Sequence, residues 1–472
     1  MKVVKNYLYN AFYQIFILLV PLATTPYLSR VLGPEGVGVN SYTNSIIQYF
    51  ILAGSIGINI YGNRQIAFVR DNKKEMTRTF YEIFMLRIIT IAIAYGAFLI
   101  FLLTVSEYKF YYIAQSISII AAAFDISWFF MGVENFGVTV LRNLIIKIIS
   151  LICIFTFVKS FNDLFIYIAI LSLSLLIGNL TLFPNLRRYI GKIELKKLNI
   201  LKHFRPSVTL FIPQVATQIY LVVNKTMLGS LDSVTAAGYF DQSDKVIKLV
   251  LAIVTATGTV MLPHVANAFM RGDVQKTKES LYRSFSFVTA LSVPMMFGMI
   301  AVTRKFVPLF FGHKFLAVIP LMQVESIVIL IIAWGSAVGI QYLLPTQQNK
   351  NYTLSVILGA IVNIVINIPL ILFLGALGTS IATVLSEMTV SGYQIFSIRK
   401  QISYKKLFHD FGKYIIAGAL MFIVVFKIDS ILNNSWTMLG VEVFVGIIIY
   451  IIMLLILKAD ILKEAKELIK NR

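Results

Sequence analysis

Long uninterrupted apolar runs are the feature of this sequence that most restricts its fold. Residues 83–104 and 436–457, for example, are apolar apart from isolated polar positions. A helix of about 20 residues crosses the ~30 Å hydrocarbon core of a bilayer. Only helices and closed barrels satisfy their backbone polar groups in lipid, and these runs lack the apolar–polar alternation of barrel strands. They therefore predict membrane-spanning helices.

The composition supports the same fold class. Hydrophobic residues make up 58% of the 472-residue chain and charged residues only 14%, whereas about a quarter of the residues in soluble domains are charged. We predict an all-α integral membrane protein with about fourteen transmembrane helices. The predicted spans are residues 8–29, 37–62, 82–104, 110–131, 139–158, 163–184, 207–228, 238–262, 284–303, 317–340, 352–374, 376–398, 412–432 and 436–457.

The net charge of +20 is explained by membrane topology rather than by nucleic-acid binding. Most Lys and Arg residues lie in the two tails and in the connections that follow even-numbered spans; seven lie in residues 185–205 alone. Positively charged segments stay cytoplasmic during insertion. We therefore predict a multi-pass membrane protein with both termini cytoplasmic.

Several other site types and segments are not expected. The single cysteine, Cys153, lies within a predicted span, so it forms no intramolecular disulfide. The four histidines fall in four different predicted connections, which is not metal-ligand spacing. The first apolar stretch is too long for a cleaved signal peptide and is expected to be a retained span. We predict no cofactor, no metal and no enzymatic activity.

An internal repeat divides the chain into two halves. The run 67–70 (AFVR) recurs as 268–271 (AFMR), and Tyr81 and Phe84 recur as Tyr282 and Phe285, all at an offset of 201 residues. Six spans per copy is an even number, so the copies are parallel. We predict an N-terminal six-helix lobe (1–184), a basic inter-lobe linker (185–206), a C-terminal six-helix lobe (207–398), two extra helices (412–457) and a basic tail (458–472).

Polar residues inside the predicted spans are the candidates for a central transport cavity, because buried charge is costly in lipid and usually has a function or a partner. The excess of basic residues within the spans indicates an anionic substrate. The substrate-binding candidates are Lys147, Lys225, Arg64, Arg87, Lys245, Lys248, Asn44, Gln48, Asn59, Asn363 and Asn367, and the candidate coupling acids are Asp125, Asp241, Asp244, Glu325 and Glu387.

Three simpler explanations compete with the cavity interpretation. Arg64, Arg87, Lys245 and Lys248 lie near span ends, where a long basic side chain reaches the interface. The pairs Asp241–Lys245 and Asp244–Lys248 have helical i,i+4 spacing and would neutralise each other. Asn363 and Asn367 would then be interhelical hydrogen-bonding residues.

An ordered set of short motifs resembles one known family. The motifs are 32–38 (LGPEGVG), 224–229 (NKTMLG), 238–245 (GYFDQSDK), 294–298 (PMMFG), 306–312 (FVPLFFG), 341–346 (QYLLPT) and 375–378 (GALG). In this order, over nearly the whole chain, they resemble the polysaccharide-repeat-unit flippases of the multidrug/oligosaccharidyl-lipid/polysaccharide exporter superfamily.

The resemblance implies a flippase of the bacterial inner membrane for oligosaccharide repeat units on undecaprenyl diphosphate, destined for capsule, O-antigen or a related cell-wall polymer. It implies alternating access between two six-helix lobes, with membrane lipids, the polymerase and other export components as partners. Relatives often have an acidic residue where Asn224 stands beside Lys225, so cation coupling through that position is in doubt here.

Two other functions were weighed. A multidrug exporter of the same fold predicts an acidic, aromatic pocket for cationic drugs, whereas basic residues are more prominent here. A membrane polymerase or glycosyltransferase usually needs a large outer loop, and no predicted outer connection exceeds about 13 residues. Both are less favoured than the flippase.

Overall fold

The computed structural model describes residues 2–191, 198–431 and 433–462; the side chains of 2–15, 17–19, 210, 212–221 and 257–264 lie outside the description. The described residues form helices and connections with no strand. Ten helical segments among them are long and apolar enough to cross a bilayer. Each of the fourteen predicted spans coincides with helix, so the chain is an all-α membrane protein.

Contacts divide the chain into two compact units, Met1–Thr226 and Met227–Arg472. The helices of the first unit are α1 (Lys2–Ser55), α2 (Ile58–Val69), α3 (Lys73–Thr104), α4 (Lys109–Ala123), α5 (Ser127–Gly132), α6 (Phe136–Phe157), α7 (Leu164–Leu180), α8 (Phe183–Leu186) and α9 (Phe204–Leu231). The last of these crosses the boundary between the units. The predicted lobe limits at 184 and 207 stay a prediction.

The second unit is also helical throughout its described elements. Its helices are α10 (Val234–Met270), α11 (Val274–Phe310), α12 (Val318–Glu325), α13 (Ile327–Gly335), α14 (Asn349–Leu374), α15 (Ala376–Ser397), α16 (Tyr404–Leu407), α17 (Phe411–Ile431) and α18 (Trp436–Ile456), with a π-helix at Ser336–Leu343 between α13 and α14. The predicted basic linker and amphipathic tail fall partly on 192–197 and 463–472, which lie outside the described residues.

Connections in the first unit meet at two opposite ends, as an up-and-down bundle requires. At one end Arg70 forms an ion pair with Glu134, joining the connections before α3 and before α6. At the other end Tyr27 donates a 2.5 Å hydrogen bond to the carbonyl oxygen of Val158, near the start of the connection that follows α6. The helices therefore cross the unit in alternating directions.

The second unit shows the same alternation. The hydroxyl of Tyr282, near the start of α11, accepts a hydrogen bond from the backbone of Ser403, before α16. At the opposite end the Tyr239 hydroxyl donates to the carbonyl oxygen of Lys314. The helices of the second unit therefore also cross it in alternating directions.

A glycine permits a very tight turn between α14 and α15. Gly375 (φ +55°) is the single residue between α14 and α15, and a Cβ atom there would lie 2.7 Å from a carboxylate oxygen of Asp232. Three residues later a Cβ at Gly378 would lie 2.0 Å from the carbonyl oxygen of Leu370. The predicted adjacent spans 352–374 and 376–398 are therefore two separate helices that pack closely.

A tryptophan stack occurs once in each unit. The rings of Phe80 and Trp128 are stacked, with centroids 5.6 Å apart and planes at 22°. In the second unit Phe285 and Trp334 are stacked at 5.6 Å and 20°. Phe285 follows Phe80 by 205 residues and Trp334 follows Trp128 by 206, a few more than the offset of the sequence repeat. The same local packing recurs in both units, but Phe285 there corresponds to Phe80 and not to Phe84, with which the sequence repeat paired it.

Candidate functional site

A cavity of about 210 Å³ lies in the first unit where α1 gives way to α2. The chain breaks its helix at Ile56 and Gly57, both with positive φ, and Gly57 lies so close to α9 that a Cβ would meet the carbonyl oxygen of Ser207 at 3.0 Å. The cavity is lined by Gln48, Tyr49, Ile51, Leu52, Ser55, Gly57, Ile58, Asn59, Phe211 and Val222. Two of the predicted site residues, Gln48 and Asn59, are therefore in its wall.

The described polar side chains of this wall carry no formal charge and are those of Gln48, Tyr49, Ser55 and Asn59. The Gln48 amide donates to the side-chain oxygen of Asn44 at 3.4 Å, one helical turn earlier, and Asn44 is exposed. A hydroxyl bond of 2.8 Å between Ser45 and Thr226 holds α9 against α1 beside it. The described lining residues include no carboxylate. Such a wall suits a neutral, hydroxyl-rich ligand better than a cation.

Arg87 lies behind this wall rather than in it. Only 2% of its surface is exposed. Its guanidinium donates to the Asn59 side-chain oxygen at 2.6 Å and to the carbonyl oxygen of Ala122 at 2.5 Å, and it forms an ion pair with Asp125 at 3.5 Å. Three predicted site residues, Asn59, Arg87 and Asp125, thus form one cluster.

Lys147 is exposed on the side of α6 that carries the buried residues of this helix. The apolar outer face of this helix carries the exposed side chains of Ile145, Ile148 and Ile152. Val140 and Ile154, seven residues before and after Lys147 and so about two turns away on the same face, are 5% and 4% exposed. Lys147 between them is exposed. The packed face of α6 is therefore open around this ammonium group.

The remaining candidates of the first unit are not gathered with these residues. Arg64 is exposed on α2 and does not line the cavity. Lys225 is half-buried on α9, next to buried Asn224, and both have interaction partners. The next residue on α9, Thr226, is hydrogen-bonded through its hydroxyl to the Ser45 hydroxyl.

In the second unit the i,i+4 ion pairs are present. Lys245 binds Asp241 at 2.5 Å, and Lys248 binds Asp244 at 2.7 Å. Buried Glu325 accepts a hydrogen bond from the Ser243 hydroxyl on the same helix as these pairs. The structure thus brings the predicted acids Asp241, Asp244 and Glu325 to one helix, α10, and its neighbour α12.

Three further candidates lie on α14 and α15. Asn363 and Asn367 are fully buried, one helical turn apart. Among the described side chains, neither amide atom of Asn363 has a hydrogen-bond partner, whereas the Asn367 amide donates to the Met227 sulfur at 3.7 Å. Glu387 is half-buried near Tyr352.

Comparison with known proteins decides the family. The model of the family described as "Polysaccharide biosynthesis protein" matches residues 3–269, more than half of the chain. The chain belongs to this family.

Relatives of this polysaccharide biosynthesis protein cover most of its length. A "Putative O-antigen transporter" of Escherichia coli K12 is 23% identical over 407 residues, covering 84% of this chain and 96% of that protein. The solved structure of "Lipid II flippase MurJ" in an inward closed conformation has a TM-score of 0.75 at 18% identity and covers 97% of this chain and 100% of that one. An inward-facing multidrug transporter of the MATE family has a TM-score of 0.65 at 12% identity and covers 81% and 94%. The fold is that of the superfamily that the motifs indicated.

Two buried ionic clusters of this polysaccharide biosynthesis protein escaped the sequence analysis. The Glu82 side chain is fully buried and accepts hydrogen bonds from Arg78 (2.9 Å), Lys202 (2.6 Å), His203 (2.9 Å) and the backbone of Asn199 (2.9 Å). In the second unit, buried Lys305 binds buried Glu442 and lies 3.5 Å from Asp429. The only available signal was a charged residue within or at the edge of a predicted span.

His203 completes the first of these clusters. Its second ring nitrogen is 2.7 Å from the Tyr61 hydroxyl. Burial lowers the pKa of His203 below its usual value, although the bond to Glu82 acts in the opposite direction. The ring is therefore neutral at pH 7, with Nε2–H donating to Glu82 and Nδ1 accepting from Tyr61.

A second cavity, of about 330 Å³, lies in the second unit between α11, α16 and α17. It contains none of the predicted site residues. His409, Asp410 and Asp460 line it and have ligand atoms within 4.8 Å of one another. The Lys413 ammonium is 2.7 Å from Asp410 and already supplies a positive charge there. This arrangement is an ionic contact between α17 and the residues after α18.

Proposed function

We propose that this protein is a flippase that moves undecaprenyl-diphosphate-linked oligosaccharide repeat units from the inner to the outer leaflet of the bacterial cytoplasmic membrane. The membership in the polysaccharide biosynthesis family carries this proposal. It is supported by relatives whose names describe an O-antigen transporter and a lipid II flippase, not an enzyme. The exported polymer would be a capsule, O-antigen or cell-wall polysaccharide, and both termini would be cytoplasmic.

The physical problem is the polar head of the substrate. Transferring one hydroxyl into hydrocarbon without a hydrogen-bond partner costs roughly 2–7 kcal/mol, so an oligosaccharide does not cross a bilayer unaided. A flippase must replace the water around these groups with its own donors and acceptors. The cavity wall offers the amides of Gln48 and Asn59 and the hydroxyls of Tyr49 and Ser55, and aromatic rings there can stack on sugar faces.

The diphosphate needs cations. We propose that exposed Lys147 serves this group, because the packed face of α6 is open around it and an ammonium forms charge-assisted hydrogen bonds with phosphate oxygens. Alternating access of the cavity to the two leaflets would then complete transport. A multidrug exporter is less well supported, because the described lining of the first cavity includes no carboxylate to hold a cationic drug.

Deletion of the gene is expected to trap lipid-linked repeat units on the inner leaflet while the enzymes that synthesise them stay active. The measurement is labelling of the glycan in intact spheroplasts with a membrane-impermeant reagent, before and after permeabilisation. Wild-type protein supplied in trans should restore labelling without permeabilisation. Repeat units that still reach the outer face of the deletion strain would contradict the proposal.

Lys147→Ala and Lys147→Glu are expected to lower the rate of flipping about 10- to 100-fold, since a hydrogen bond to a charged group contributes about 1.5–3 kcal/mol. The glutamate variant should be the slower one because it repels the diphosphate. The same direction is expected for Lys225→Ala. The matched control is Lys159→Ala, an exposed lysine just beyond the end of α6. Wild-type flipping in the Lys147 variants, at equal protein level, would rule out this role.

A further inference from the structure

We infer that Arg87 is a positioning residue that fixes the amide of Asn59, and that Asn59 rather than Arg87 contacts the substrate. The inference rests on the proposed function and specifies one contact within it. The Asn59 amide nitrogen would donate a hydrogen bond to an oxygen acceptor of the glycan or of its diphosphate.

Each nitrogen of the Arg87 guanidinium has a protein partner. Its Nε donates to the carbonyl oxygen of Ala122, its Nη1 to Asn59 Oδ1, and its Nη2 faces Asp125 Oδ2. Ala122 lies in the last turn of α4, whose carbonyl groups have no partner within the helix. Arg87 thus fastens the α4 end and the α1–α2 break to each other, and at 2% exposure it has no surface for a ligand.

The charge of Arg87 is also balanced locally. Asp125 supplies a carboxylate, and the carboxyl end of α4 contributes the partial negative charge of a helix C-terminus. A guanidinium between these two groups offers little attraction to a diphosphate in the cavity. The anion-binding role that the sequence suggested for Arg87 is better assigned to Lys147.

The bond to Arg87 decides which end of the Asn59 amide faces the cavity. The oxygen and nitrogen of an asparagine side chain are usually hard to distinguish. Arginine has only donors, so the atom that faces Arg87 at 2.6 Å must be Oδ1. The exposed Asn59 side chain lines the cavity, and Nδ2 is therefore the end left to bind a ligand. The wall presents a donor at this position.

The test compares four variants in proteoliposomes: Asn59→Asp, Asn59→Ala, Arg87→Lys and the Asn59→Ala/Arg87→Lys double variant. The probe is the lipid-linked repeat unit extracted from the deletion strain. Asn59→Asp keeps an oxygen for Arg87 but removes the donor, so the protein should melt at or above the wild-type temperature. Its half-saturating probe concentration should nevertheless rise about tenfold, with a maximal rate within about twofold of wild type.

Arg87→Lys should raise the half-saturating concentration by a similar factor, because Lys lacks the fork that holds Asn59. The double variant should be no worse than Asn59→Ala alone, since Arg87 acts through Asn59. The matched control is Arg188→Lys, an exposed arginine of the linker. The inference would be overturned if the rise in half-saturating concentration of the double variant equalled the product of the two single-variant rises. An Asn59→Asp variant with wild-type saturation would also overturn it. If Arg87→Lys does not reach the membrane, Asn59→Asp alone decides.

Two competitors identify the oxygen that Asn59 binds. Free glycan released from the probe should lose inhibitory strength against Asn59→Asp if the contact is to sugar, and inorganic pyrophosphate should lose it if the contact is to the diphosphate. Unchanged inhibition by both would overturn the inference.

A wild-type protein that flips none of the probe would instead contradict the proposed function. A thiol at Asn59→Cys in a Cys153→Ala background would then still report whether free glycan or pyrophosphate protects this position, and absence of protection by either would count against the contact.

Discussion

Lys305→Met is expected to destabilise the second unit by about 3–5 kcal/mol, the usual cost of removing one partner from a buried ion pair. Lys305 is buried, binds buried Glu442 on α18 and lies 3.5 Å from Asp429 on α17. Without its ammonium two carboxylates would remain out of water with no cation. The measurements are the melting temperature in detergent and the amount of protein in the membrane fraction.

A double variant and a matched control test whether loss of the ion pair itself causes the destabilisation. Lys305→Met/Glu442→Leu removes both members of the pair and should recover much of the lost stability, because an apolar pair of similar volume often replaces a buried ion pair without loss. Lys314→Met, at an exposed lysine beyond α11, should change stability by no more than about 0.5 kcal/mol. A double variant as unstable as Lys305→Met would show that the pair is not the cause.

Glu82→Ala is expected to release the segment that leads into α9, with a loss of roughly 2–4 kcal/mol of local stability. Hydrogen bonds to a charged group contribute about 1.5–3 kcal/mol each and are not additive. Glu82 binds Arg78, Lys202 and His203 and the backbone of Asn199. Its removal leaves His203 and two cations without their shared partner.

Limited trypsin digestion measures this release, because Lys202 lies within the attached segment and its peptide bond to His203 is a trypsin site. Cleavage there should be several-fold faster in Glu82→Ala than in wild type, and flipping should fall with it. Glu75→Gln, at an exposed glutamate two turns earlier on α3, is the matched control. Equal cleavage rates in all three proteins would refute the anchoring role of Glu82.

The positions of the helices were predictable because lipid tolerates only helices and closed barrels, and the apolar runs lack the alternation of barrel strands. Even the turn at Gly375 was visible, since the two runs beside it are each long enough to cross a bilayer. The ordered motifs indicated the superfamily for a similar reason: glycines and prolines mark turns and breaks such as Gly33 and Gly57, where few other residues fit.

Side-chain partnerships were not predictable, because hydropathy does not report how each helix is rotated. Arg87 and Lys147 look alike in the sequence, each a basic residue within an apolar run. The structure buries Arg87 among three acceptors and leaves Lys147 exposed. Lys305 and Glu442 are separated by 137 residues, and no local pattern connects them.

The pairing of Arg87 with later segments has a consequence for biogenesis. Arg87 leaves the ribosome 38 residues before Asp125, so α3 reaches the translocon with an unneutralised guanidinium. A charge near the middle of a single helix costs about 2.5–3.5 kcal/mol at that stage, and the many apolar residues of α3 offset it. Helices α3 and α4 are therefore expected to leave the translocon as a pair, so that the guanidinium meets its carboxylate before either helix is surrounded by lipid.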